Sequence, residues 1–498
     1  MARNCVFSYL ITENKVVVPE LPVEKAFGKY TISIDGNTPF SYASKGIVEC
    51  AVYGLATDVI SGKSSNIAYE IAENCRNIQD VVEYEKKLGG KYILLFKNGE
   101  QYYVQGDATC SIPIFYNTSD TFLCSSNYNY ILNFKGYCVD NEFALIRKSG
   151  DISQAMPYDI TPYKHIKQLI PNHYLDINKK SSIRFVNSAK KQKAISVEEA
   201  TDIVAPMIEN LLNFYFQKYK IYCPITSGRD SRVVLSFLLK SKEKFSCYTI
   251  KHPEHNENTQ DITIPLKLCE RVNVKHSLIE DVVVSDTLKN EFDSLLGSES
   301  YSLRTLRIAE TINEHFGDGA ILNGDIIGQV GKCSLHRDIP SLFATPSYFR
   351  CKLHNYSKGA KKQLKEWMKE IKINGEKTNL FDLFSIENRM GRWASQENLI
   401  YNTLGQAYLN IFNSRSIIYI WTAVKRKERK YSKIHIGLIK KSCETLLDIP
   451  FERDESILFR FSKSTGITYL ISSYIKYYIG KSRFKKEKNR EKTDNNSR

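Results

Sequence analysis

Twelve cysteines are scattered through 498 residues, and no two of them form a Cys-x-x-Cys pair. This absence removes the zinc-ribbon and thioredoxin signatures and fits a reducing compartment, where single thiols stay unpaired. The opening stretch MARNCVFSYLITENK lacks the uninterrupted apolar core of a secretory signal. No apolar run elsewhere approaches the ~20 residues that a membrane span requires, and no internal repeat is apparent. SGKSS at 61–65 is not a Walker A loop, because Thr57 stands where its first glycine belongs. His252 and His255 lie near carboxylates, but no second cluster at zinc spacing accompanies them. A cytoplasmic protein without a membrane span is expected.

Charge is present in excess. The formal net charge of +15 raises nucleic acid or acidic lipid as partners. Lysine is spread along the whole chain, however, and residues 481–498 carry eight basic against three acidic side chains. Residues 479–498 read as a basic disordered tail, which makes a solvated tail the reading over a nucleic-acid arm.

The length implies two domains. Over residues 1–190 short strand-like runs alternate with turn signals, the pattern of an all-β or α+β domain, with Asn98-Gly99 marking a hairpin. One amphipathic helix is expected at roughly 66–88. From Ser196, where SVEE reads as a capping box, strand and helix patterns alternate as KIYCPI, SRVVLSFLLKS, FSCYTI, NTQDITIPLKLCERV, VKHSLI and GAILNGD. Pro206 lies inside the first of these helices, where it kinks the helix or delays its start. The alternation implies a doubly wound parallel α/β sheet over 191–478. Beyond ~360 the pattern is mostly helical.

The loop Thr226-Ser227-Gly228-Arg229-Asp230-Ser231 follows a strand pattern and opens a helix. In a doubly wound sheet that is where anions bind, on backbone N–H groups and the positive helix end. Free amides are expected from Ser227 to Ser231, with phosphate-donating hydroxyls on Thr226 and Ser231. Asp230 would repel phosphate unless it holds Mg²⁺ that bridges phosphates. A turn capped by Asp230 and Ser231 is the plain alternative.

These residues resemble the Ser-Gly-Gly-x-Asp-Ser pyrophosphate loop of the asparagine synthetase-like ATP pyrophosphatases, with Ser227 in place of the first glycine. CYTI resembles that family's adenine strand, which implies nucleotide contacts at Tyr248 and Ile250, and Asp261 falls in register with an aspartate of the following helix. LGGKYILLFKNGEQYYVQGDATCSIPIFY is similar to the family's glutaminase half, with Asp107 and Pro113 in register. ITPYKHIKQLIPNHYLDIN looks like the strand pair before the synthetase domain. The resemblance implies an Ntn-hydrolase-like α+β domain followed by an ATP pyrophosphatase domain with a helical carboxy-terminal part, and ATP and Mg²⁺ as cofactors.

Two departures qualify it. The family's glutaminase needs a mature amino-terminal cysteine, and here position 2 is Ala2 and the nearest thiol is Cys5, expected buried in a first strand. The family's second acidic motif is reduced to Asn323-Gly324-Asp325, with Ile327, Gly328 and Gln329 where the acidic pair belongs. Asp230 and Asp325 are therefore the metal candidates. Arg389 and Arg392 resemble the family's arginine-bearing helix, and Lys425, Arg426, Arg429 and Lys433 are the candidates for a pyrophosphate contact. The implied catalytic set is Asp230, Asp325, Arg389 and Lys433.

The implied reaction adenylates a small-molecule or peptide carboxylate and transfers it to ammonia or an amine, possibly supplied by a partner subunit, with release of AMP and pyrophosphate. The alternatives are a catalytically diverged scaffold of the same fold and a tRNA-modifying pyrophosphatase-loop enzyme.

Overall fold

The computed structural model describes residues 5–140, 156–185, 193–241, 243–296, 302–317, 319–333, 339–451 and 465–496. The strands of the first part are β1 (Tyr9–Thr12), β2 (Val23–Phe27), β3 (Tyr30–Ile34), β4 (Phe40–Lys45), β5 (Val48–Asp58), β6 (Leu88–Asn98), β7 (Gln101–Gly106), β8 (Phe115–Asn117), β9 (Leu123–Ser125), β10 (Ile166–Gln168), β11 (His173–Asp176) and β12 (Ser181–Arg184). They form two antiparallel sheets, ordered β10-β8-β9-β1-β3-β2 and β12-β11-β7-β6-β5-β4.

Side-chain parity explains why these sheets stack. In β5, Ala51, Tyr53 and Leu55 enter the core between the sheets, while Val48, Cys50 and Val52 face the other way, under helices α1 (Ile67–Asn74) and α2 (Ile78–Glu85). β6 divides in the same way, Ile93 and Leu95 inward and Tyr92, Leu94 and Phe96 outward. A strand covered on both faces has no polar alternation, which is why YILLF reads as a continuous apolar run. Helix α3 (Tyr128–Lys135) packs Tyr128 and Ile131 against Phe115 and Leu123 on the outer face of the first sheet. The layers are helix, sheet, sheet, helix.

The second part is a parallel sheet of β13 (Ile221–Pro224), β14 (Phe245–Lys251), β15 (His276–Glu280), β16 (Ala320–Asn323) and β17 (Ala407–Asn410), ordered β15-β14-β13-β16-β17. Helices α4 (Val197–Phe216), α5 (Asp230–Lys240) and α6 (Gln260–Arg271) pack on one face with Cys223, Cys247 and Leu322. Helices α7 (Asp286–Leu296) and α8 (Leu303–Phe316) pack on the other with Tyr222, Tyr248 and Ile321. The protein is thus α/β, with antiparallel and parallel sheets.

Several expectations need correction. The segment 66–88 is two helices, because the Asn77 side chain caps α2 by accepting from the Gln79 and Asp80 amides, and Asp80 returns the bond in a capping box. At Ser196 only half of that motif forms, its hydroxyl accepting the Glu199 N–H at 3.0 Å. Helix α4 runs through Pro206 unbroken. β10 and β11 do not pair with each other; they join different sheets. β17 lies in a region whose pattern reads as helical. The segment expected as a disordered tail from 479 continues a helix, Gly466–Asn496, in keeping with the good helix propensity of its Lys, Arg and Glu residues. The boundary expected at 190–191 and Ala2 lie outside the described residues.

Candidate functional site

The order of the parallel sheet reverses between β13 and β16. β13 leads outward to β14 and β15, and β16 leads the other way to β17. Carboxyl ends of strands at such a reversal leave a crevice between diverging loops. The loop 226–231 leaves β13 there, and a wide π-helical turn around Ile327–Gly331 follows β16 beside it.

The two loops interlock through Asp230. A Cβ on Gly324 would lie 3.0 Å from the Asp230 backbone carbonyl, and one on Gly328 would overlap Asp230 Oδ2. At both positions a side chain would press on Asp230, and at Gly328 it would displace the carboxylate. On its other side Asp230 Oδ1 accepts Nε2–H of His435 at 2.8 Å, from the helix Lys433–Cys443. Burial opposes the charge on Asp230, yet the His435 bond and the Lys332 and Arg229 charges hold its carboxyl below the usual range. Burial lowers the His435 imidazole against the pull of Asp230. A neutral ring with its proton on Nε2 fits both directions, and it leaves the buried Nδ1 without a partner.

Asp325 opens the turn after β16. It accepts Tyr408 Oη at 3.3 Å, and burial together with the nearby Asp230 charge pushes its carboxyl up to about 6. Arg389 lies within charge range of Asp325, its guanidinium 4.5 Å from the Trp393 ring centroid and its Nε buried without a partner. Because folding raises the Asp325 carboxyl, the folded state holds the extra proton between pH ~4 and ~6 and loses stability as pH rises through that window. Asp325→Asn is therefore expected to raise the thermal midpoint at pH 7.5, by the equivalent of on the order of 2 kcal/mol, and to leave it unchanged near pH 4. Paired melting curves at the two pH values check this, and equal midpoints at pH 7.5 would refute it.

The loop amides are less free than expected. Ser227 donates from its N–H (2.9 Å) and its Oγ (2.6 Å) to Asp261 Oδ1 on α6, and Gly228 N–H donates to Thr226 Oγ1 at 3.2 Å. Thr226 N–H donates to Ser231 Oγ at 3.2 Å. The reason is local: small hydroxyl residues in a tight loop satisfy one another and the facing carboxylate before any ligand does. Asp261 is the residue that braces the loop. The Arg229 and Arg232 guanidinium carbons lie 4.5 and 4.1 Å from the Phe451 ring centroid.

Other predicted residues fall elsewhere. Tyr248 is core: its carbonyl accepts the Ile225 N–H at 2.8 Å and its ring packs 4.9 Å from Phe316. Ile250 packs beside it against the same cluster. Asn323 is a brace, accepting from Asp325 N–H (3.1 Å) and Asn410 Nδ2 (2.6 Å). Lys433 pairs with Glu428 at the surface. Arg429 is buried in a two-bond pair with Asp382, Arg426 donates to the Ile339 carbonyl, and Lys425 stands just before the short helix 426–430. Arg392 donates to the Met156 and Ile160 carbonyls. The cation that faces Asp230 from the second loop is instead Lys332.

His435 and Lys91 were not legible as site residues. His435 lies two residues past Lys433, and a step of two, roughly half a turn of helix, sets the two side chains on opposite faces. Lys91 reaches from β6 of the sandwich to Asn402 Oδ1 (2.8 Å) and the Tyr408 carbonyl (3.3 Å). Burial pushes its amine down to about 7. It lines an interior cavity of about 30 Å³ together with Ser111, Asp325, Asn398 and Asn413. The sandwich thus contributes a side chain to the same crevice.

Cys5 lies before β1 rather than in it. Burial, followed by the Asp35 charge, pushes its thiol up to about 11, which is poor for a nucleophile. Asp107 is fully engaged, accepting from the amides of Tyr92, Thr109 and Ser111, the Ser111 hydroxyl and Asn413 Nδ2. Among the described residues no group of three or more His, Cys, Asp or Glu is placed to hold a metal ion.

No family model matches the chain, and no curated protein matches it. Among solved structures the chain is similar to a glutamine-dependent NAD⁺ synthetase from Acinetobacter baumannii in complex with ADP, at 11% identity and a TM-score of 0.21, over 34% of this chain and 32% of that one. It is also similar to an NMN synthetase from Francisella tularensis, at 13% identity and a TM-score of 0.20, over 42% of this chain and 94% of that one. A third likeness is to a glutamine phosphoribosylpyrophosphate amidotransferase from B. subtilis complexed with ADP and GMP, at 12% identity and a TM-score of 0.23, over 68% and 72% of the two chains. The match to the NAD⁺ synthetase takes in less than a third of that protein's own length. Superpositions this loose bear on neither the fold nor the activity.

Proposed function

We propose that this chain is an ATP-dependent amide-forming ligase that adenylates a substrate carboxylate and passes it to ammonia or an amine, with no glutaminase activity of its own. The observation that carries the reading is the meeting of the loop 226–231 and the turn 324–331 at the reversal of the parallel sheet, with Asp230 and Asp325 in charge range of each other. The motif in the first loop supplies the reaction class.

In this reading the β- and γ-phosphates rest at the amino end of α5, where Arg229 and Lys332 neutralise their charge. The α-phosphorus faces the substrate carboxylate, whose attack expels pyrophosphate and forms an acyl-adenylate. An amine then displaces AMP. Positioning and charge neutralisation carry such a transfer. His435 keeps Asp230 ionised and fixed in direction. Arg389 offsets the charge on Asp325.

The donor set fits a magnesium ion held mainly by phosphates, since the Asp230 charge raises the Asp325 carboxyl and a cation between them relieves that repulsion, and Mg²⁺ needs only one or two protein carboxylates. Asp230 and Asp325 would hold it, and it would neutralise the phosphate charge. Neutral Gln329 supplies no third carboxylate, although its buried Oε1 has no partner.

A second reading, a scaffold that keeps the fold without the chemistry, is favoured by one observation: the Ser227 and Gly228 amides are already bonded within the protein. Calorimetry of Mg-ATP binding separates the two. The ligase reading expects binding by the parent chain, loss of it in Asp230→Ala, and exchange of labelled pyrophosphate into ATP once the right carboxylate is supplied. Absence of Mg-ATP binding by the parent chain leaves the scaffold.

A further inference from the structure

The helix Gly466–Asn496 carries two apolar faces, and the body of the protein covers one of them. On the covered face Leu470 and Tyr477 are buried, Tyr477 Oη donates to the Asn355 carbonyl at 3.2 Å, and Leu470 joins the cluster of Phe349 and Trp367. Ile467, Ile471, Ile475 and Ile479 recur every fourth residue on the other side, each between 49% and 54% exposed, with Tyr478 at 58% beside them. A spacing of four advances 400° per step, so the isoleucines form one slowly drifting stripe about 18 Å long on the outside of the molecule. Isolated exposed apolar side chains are ordinary in proteins, but five on one face of one helix are not.

The same helix is strongly basic. Its sequence holds Lys476, Lys481, Arg483, Lys485, Lys486, Lys488, Arg490 and Lys492 against Glu487, Glu491 and Asp494, a net charge of +5. An apolar stripe continuous with a cationic segment matches a surface that offers hydrocarbon and negative charge together. A second copy of the chain offers the hydrocarbon, but its helix is equally basic and brings no countercharge. Among the described residues no helix is long and apolar enough to cross a membrane, so the stripe fits docking on a bilayer, not insertion through it. We propose that the outer face of the helix Gly466–Asn496 docks the protein on an anionic phospholipid surface, with the Ile467–Ile479 stripe in the headgroup–acyl boundary and the basic segment on the headgroups.

Flotation of the full chain with phosphatidylcholine vesicles, with and without phosphatidylglycerol, tests this. The chain is expected to float with the anionic vesicles, to dissociate as salt is raised, and to stay behind with the neutral ones. Ile471→Glu/Ile475→Glu is expected to weaken vesicle binding about tenfold or more with an unchanged thermal midpoint. Ile475→Gln, a milder change on the same exposed face, should weaken it to a lesser degree, and Ile60→Glu, an exposed isoleucine of the sandwich, should not. The proposal is overturned if the parent chain ignores anionic vesicles, or if the stripe variants bind as well as the parent. Equal binding to neutral vesicles overturns the electrostatic half. A concentration-dependent dimer that the double variant abolishes, without vesicle binding, would assign the stripe to a second copy.

Discussion

Glu387→Gln is expected to lower the free energy of unfolding by about 3–5 kcal/mol, read as a fall in the denaturation midpoint with the slope unchanged. Glu387 is fully buried in a wide helical turn, Ser385–Ala394, and accepts four bonds: two from Arg184 (2.8 and 2.6 Å), one from Asn172 Nδ2 (2.7 Å) and one from Trp367 Nε1 (2.6 Å). Arg184 is equally buried and belongs to β12 of the sandwich, so the pair ties the two parts of the fold together. The amide can still accept, but it removes the charge that faces a guanidinium without water. Glu370, at 3.0 Å from Arg184 Nε, is then left as its other anionic partner. Breaking one side of a buried pair costs far more than the pair contributes over an apolar replacement, because the surviving charge stays desolvated. A loss below about 1 kcal/mol, the ordinary value for an exposed pair, would show that water reaches Arg184.

The second large effect is expected at Gly328. In Gly328→Ala the added methyl overlaps Asp230 Oδ2, and the carboxylate must turn away from the crevice or break its bond to His435. If Asp230 positions phosphate-bound magnesium, Mg-ATP affinity should fall by about 10²-fold, the usual penalty for a displacement of ~1 Å in a positioned group. The protein should still fold, since Gly328 has no left-handed torsion to lose. Gly36→Ala, where the new methyl meets only Val23 Cγ2 at 3.9 Å, serves as the control and should bind as the parent does. Unchanged affinity in Gly328→Ala would remove Asp230 from the nucleotide site.

Both positions show where sequence reading succeeds and where it stops. The strands around Val48–Asp58 and Leu88–Asn98 were legible because apolar runs and a Gly99 turn are local signals. The loop at 226–231 was legible because strand, small residues and helix follow one another directly. The two-helix break at Cys75–Asn77 has no clear local signal because Asn77 caps within a run of helical periodicity. The Tyr248 ring faces the core because successive side chains of a strand alternate between its two faces. Four basic residues at 425–433 were plausible phosphate partners, yet Arg429 is held by Asp382, Lys433 turns outward to Glu428, and His435 takes the place at Asp230.

By itself the sequence determined most of the element types, though not β17 or the helix beyond 479, the alternation that makes the second half a parallel sheet, and the position of the loop that carries Asp230. All of these follow from patterns a few residues long. Only the tertiary structure decided what surrounds that carboxylate. His435 lies 205 residues away from Asp230, and Lys91 meets Asn402 across 311. The physical reason is that local periodicity states which side of a helix or strand is buried, while the order and crossing of the sheets decides what it is buried against. Charge partners, shifted protonation and the close approach at Gly328 all depend on that second choice.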